Sequence, residues 1–108
     1  MKKIVIAAAV AVSGLAFAAQ ASAAVSNFEL LQAARCRGLA SSDTLGKLDT
    51  TKVDAMLKTE SSARDLAVRN SLVNKMSAAV KEANAADSAK KEKLLAERSS
   101  TACTAWLN

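Results

Sequence analysis

SNFELLQAARCRG, residues 26–38, is the stretch on which the fold turns. Ser26 and Glu29 stand at the spacing of a capping box, in which hydroxyl and carboxylate satisfy each other's orphan amides, so a helix starts here. A run of strong helix formers carries it to Arg37, and Gly38 is expected as its C-terminal stop. Phe28 and Leu31 are expected on its apolar face. Cys36 lies near its end between two arginines, and the second of the chain's two cysteines, Cys103, lies close to the other end of the sequence.

Whether these cysteines pair depends on the compartment. Lys2 and Lys3 precede an apolar run from Ile4 to Phe17, broken only by Ser13 and Gly14, and Ala21-Ser22-Ala23 follows. This is the pattern of a secretory signal peptide, with cleavage expected after Ala23. The run falls short of the roughly 20 residues that a membrane span needs. No cysteine follows the small residues, so no lipid anchor is expected. The short, lysine-led, alanine-rich leader is of bacterial type and points to the periplasm. In an oxidising compartment an even cysteine count reads as a disulfide. With two cysteines the one intramolecular bridge is Cys36–Cys103, and it would close a loop spanning most of the mature chain. The alternatives are a disulfide-linked dimer or a reactive thiol, whose thiolate Arg35 and Arg37 would favour. The C-x-x-C of an oxidoreductase is absent.

Removing residues 1–23 from the 108-residue chain leaves one small domain, residues 24–108, with 13 basic and 10 acidic side chains. Those charges are interspersed, unlike the basic stripe of a nucleic-acid binder, and no nucleic-acid partner is expected. The large apolar side chains include Phe28, Leu31, Leu39, Leu45, Leu48, Val53, Met56, Leu57, Leu66, Val73, Met76, Val80, Leu94, Leu95 and Trp106. That is a thin core, and small domains with thin cores usually need a staple.

The rest of the chain reads as helix. It has no proline, and only Gly38 and Gly46 follow the leader. No segment alternates as a strand does. Residues 38–49 read as a loop; Asp49 to Thr51 offer caps for a second helix carrying Val53, Met56 and Leu57. Ser61-Ser62 either ends that helix or marks a polar patch within a longer one. A third stretch places Leu66, Val73, Met76 and Val80 on one stripe and fades near Asn84. After Ala86-Asp87-Ser88 a last helix runs towards Leu107, with Leu95, Ala102, Cys103 and Trp106 on one side and Leu94 peripheral. Trp106 is expected to cover the sulfurs. The fold class is all-α: a bundle of three to four helices closed by one disulfide.

Chemistry is sparse. There is no histidine, which removes the commonest general base, the usual triads and most zinc sites. Ser71 with Lys75, Ser77 with Lys81, and Ser88-Ala89-Lys90-Lys91 have serine–lysine spacing, but the accompanying S-D-N and K-T-G motifs are missing. Glu60 with Arg64 and Asp65 with Arg69 are ordinary i,i+4 pairs. No enzyme activity, metal or cofactor is expected.

Two functional readings follow. In the first, the chain is an exported helical protein that binds another periplasmic or envelope protein, as accessory, inhibitor, immunity or chaperone-like factors of the envelope or of secretion and conjugation systems do. The stripe Leu66, Val73, Met76 and Val80 is then the candidate contact face. In the second, Lys90, Lys91 and Lys93 with Trp106 make a basic amphipathic helix that lies on an anionic membrane and perturbs it. Glu92 and Glu97 dilute that charge, and the first reading is preferred.

Overall fold

The computed structural model describes residues 25–107, so the leader expected over residues 1–23 lies outside the described residues. The described residues are all-helical: α1 (Asn27–Ala40), α2 (Thr51–Ser62), α3 (Leu66–Asn84), α4 (Ser88–Arg98) and α5 (Thr101–Leu107). The single last helix expected from the sequence is two helices. It breaks at Ser99-Ser100, where the Ser99 and Ser100 amides bond back to Leu95 and Glu97 and the Ser100 hydroxyl donates to the Glu97 carbonyl at 2.6 Å. A serine hydroxyl that competes for backbone acceptors favours such ends.

α1 is the central element and packs against all four other helices. Its capping box forms as expected: the Glu29 amide donates to Ser26 Oγ at 3.1 Å and the Ser26 amide to Glu29 Oε1 at 2.9 Å. Of the expected apolar face, Leu31 packs against the first core cluster and Phe28 does not. Phe28 is 75% exposed and Leu31 half-buried, whereas Leu30, Ala33, Ala34, Cys36, Leu39 and Ala40 are buried. Those positions are spread around the helix, as befits an element covered on several sides.

Gly38 does not stop α1, which continues to Ala40. A Cβ there would lie 2.6 Å from the Met76 carbonyl oxygen and 2.7 Å from Ala79 Cβ, so the glycine is what lets α1 and α3 cross this closely. The obstacle is mostly backbone and cannot swing aside. Gly38→Ala should therefore destabilise the fold by up to about 2 kcal/mol: overpacking costs about 1–3 kcal/mol, against about 1 kcal/mol of helix propensity gained. Urea unfolding of the variant checks this, and a stabilised variant would contradict it.

The core is in two parts. Leu30, Ala33, Ala34, Val53, Leu57 and Leu72 form the first, with Trp106 and Leu107 among the residues packed against it. Leu39, Leu45, Ala79, Ala83 and Leu94 form the second, with Leu95 half-buried beside it. Leu94 is thus core and not peripheral, and Leu30 and Leu72 join the core without having been singled out. The disulfide Cys36–Cys103 is present, with a Cα–Cα distance of 5.4 Å across a sequence separation of 67. Both sulfur-bearing residues are buried.

Arginines tie the helices together. Arg35 grips Glu97 of α4 through Nε at 2.6 Å and Nη2 at 2.9 Å, and reaches Glu82 of α3 through Nη1 at 2.9 Å. Arg98 closes the loop between α1 and α2 by donating to the carbonyls of Leu39, Leu45 and Gly46. Arg64 holds the α2–α3 turn to the start of α1 through Asn27 Oδ1 and the Val25 carbonyl. Burial of Ser42 in the loop is satisfied by its bond to Asn84 Oδ1 at 2.9 Å.

A cationic apolar trough between two splayed helices

α2 and α3 are joined by a short turn, and both pack on α1. They touch each other only sparsely, because α3 commits its buried stripe, Leu72, Ala79 and Ala83, mainly to α1. Asp65 caps the start of α3 by accepting from the Val68 amide. The space between the two helices is an open cavity of about 600 Å³, and Leu57, Leu72, Val73 and Met76 supply its apolar lining. A second depression of about 280 Å³ adjoins it, sharing Arg37 and Met76 and extending to Val80 and Lys81. Together they form a trough along α3 from Arg69 to Lys81, about 18 Å at 1.5 Å per residue, walled opposite α3 by α2 in the first part and by the C-terminal end of α1, Gly38 and Ser41, in the second.

The charges around it are uneven. Arg37 on the α1 side donates to Asp54 Oδ1 at 2.7 Å, and Thr50 donates to the other carboxylate oxygen at 2.8 Å. The Arg37 hydrogen bond holds the Asp54 carboxyl below its ordinary range, so this single carboxylate of the trough is ionised and already engaged. Lys58 on the α2 wall, and Arg69 and Lys81 on the α3 wall, are exposed. Among the described residues none of these three makes an ion pair. The trough is apolar at its base and cationic at its rim.

Of the residues expected on the α3 contact face, Val73, Met76 and Val80 line the trough, while Leu66 stands outside it. Val73 is 56% exposed and Leu66 63%; Met76 and Val80 are half-buried. The opposing wall, Leu57 and Lys58, and the rim cation Arg69 were not legible. Asp65 caps α3 and makes no ion pair with Arg69 among the described residues, which leaves Arg69 to the trough. The i,i+4 recurrence Val68, Leu72, Met76 marks the inward side of α3, but nothing in the sequence says that α2 stands off from it.

The C-terminal lysines and the tryptophan are on different helices. Lys90, Lys91 and Lys93 are exposed on α4, where Lys90 bonds Glu82 at 2.8 Å, and Trp106 of α5 packs half-buried on the first core cluster. No described helix is long and apolar enough to cross a membrane. Ser71, Lys75, Ser77 and Lys81 are all exposed on α3. No group of three or more His, Cys, Asp or Glu side chains converges among the described residues. Comparison with protein-family models, curated proteins and solved structures finds no match to this chain.

Proposed function

We propose that this chain is an exported, periplasmic protein that works by binding another protein, and that the contact lies in the trough between α2 and α3. The observation that carries the reading is the trough itself. Leu57 and Leu72 close its base as core residues, while Val73, 56% exposed, and half-buried Met76 leave apolar surface uncovered between cations, the kind of patch that marks an interaction site. Export is supported by the leader-like residues 1–23 and by a disulfide that an oxidising compartment maintains.

A photo-crosslinking residue placed at Val73 in the living cell tests the site, with the same residue at exposed Lys91 on α4 as the control position. One discrete, identifiable protein adduct is expected from position 73 and not from position 91. Val73→Asp, made with the crosslinker moved to Met76, should remove the adduct while the circular dichroism spectrum stays helical. Adducts confined to position 91, with the protein in the membrane fraction, would overturn the proposal in favour of a membrane-surface role. Mass spectrometry of the exported protein checks the leader: its first residue should be Ala24.

A further inference from the structure

We infer that the occupant of the trough is an acidic amphipathic helix supplied by the partner, an inference that rests on the binding role proposed above. Three observations select it. The walls are α-helices whose backbone groups are already bonded within each helix, so they offer no edge to an extended strand. An extended peptide laid on Leu57, Leu72, Val73 and Met76 would bury its own amides and carbonyls without acceptors or donors, whereas a helix brings its backbone hydrogen bonds with it. The length suits a helix as well, since about 18 Å accommodates roughly 12 residues with apolar side chains at i, i+3 or i+4, and i+7.

The third observation is charge. Lys58 stands on one wall and Arg69 and Lys81 on the other, and none is neutralised by an ion pair among the described residues, while Asp54 is taken up by Arg37. A helix with an apolar ridge flanked on both sides by Asp or Glu meets all three cations at once. A fatty acid or an acidic lipid shares the apolar-plus-anionic character, but one headgroup cannot reach cations at both ends of an 18 Å trough. A basic or neutral helix would leave the rim repelled or unpaired.

Selection from a displayed library of helical peptides of about 16 residues against the purified, disulfide-bonded protein tests the inference. Enriched sequences should carry the i, i+3/i+4, i+7 apolar ridge with Asp or Glu on its flanks. A synthetic peptide of that sequence should shift the methyl resonances of Val73 and Met76 and bind more weakly as salt is raised. Lys58→Glu with Arg69→Glu, which leaves the apolar lining in place, should weaken it about tenfold and favour peptides with Lys flanks. Neutral or basic flanks, no enrichment, or methyl shifts confined to other surfaces would overturn the inference. So would laurate or phosphatidylglycerol vesicles occupying the trough while the peptides do not. The two readings fail separately. If crosslinking at Val73 still captures its protein while the peptides show no acidic preference, only the acidic helix falls. If Val73→Asp leaves capture unchanged, the binding site itself is wrong.

Discussion

Replacing Cys36 and Cys103 together by alanine is expected to lower the unfolding free energy by about 4 kcal/mol, the chain-entropy contribution of a bridge that closes so long a loop. For a small domain that is a large part of the total, because such folds are stable by only about 5–15 kcal/mol. The loss should not be uniform. α5 has seven residues, too few to be helical by itself, and it is held by the bridge and by the half-buried Trp106 and Leu107. Amides of residues 101–107 should therefore lose hydrogen-exchange protection before those of α1 and α3. Trp106 is the only tryptophan, so its fluorescence reports α5 directly and should change at lower urea than the helical ellipticity does. The urea dependence should steepen as well, since the unbridged unfolded chain exposes more surface. A loss below about 1 kcal/mol, with the two probes coincident, would mean that side-chain packing alone seats α5 and that the bridge constrains little.

That bridge was legible because a leader-like N-terminus and a count of two leave one intramolecular partner for each cysteine, and the capping box at Ser26 was legible because its two hydrogen bonds are local. What could not be read depends on distance in space. Gly38 has the same neighbours whether it ends a helix or lets two helices cross, and only the 2.6 Å approach to the Met76 carbonyl decides between them. Ala33, Ala34, Ala79 and Ala83 are fully buried, yet alanine gives little hydropathy contrast with an exposed helix face. Phe28 and Val73, which do stand out in the sequence, are 75% and 56% exposed. The trough was half-legible for the same reason. Its α3 wall shows as an apolar stripe, but its existence depends on α2 standing away from α3, which the apolar spacing of neither helix encodes.

Arg35→Met is expected to cost about 2–3 kcal/mol at neutral pH, because it removes three charge-assisted hydrogen bonds while keeping an apolar stem of similar length. The guanidinium joins α1 to Glu82 of α3 and to Glu97 of α4, and Lys90 adds a further bond to Glu82. Its side chain is 27% exposed, so the cost stays below that of breaking a fully buried pair. The effect should depend on pH in a defined direction. The hydrogen bond from Arg35, and then that from Lys90, hold the Glu82 carboxyl at about 2, against an ordinary value of 4.5. A carboxyl depressed on folding contributes stability that is complete above its unfolded value and is lost as pH falls through its folded one. The Glu82 arm of the network therefore stabilises the bundle fully above about pH 4.5 and gives way between there and about pH 2. Chemical denaturation of the native protein and of Arg35→Met across that interval should give stabilities that converge as the pH drops. Glu82→Gln should flatten the acid limb in the same way. If the gap between native and Arg35→Met stays constant from neutrality to pH 2, Arg35 holds the three helices through the packing of its stem and not through its charge.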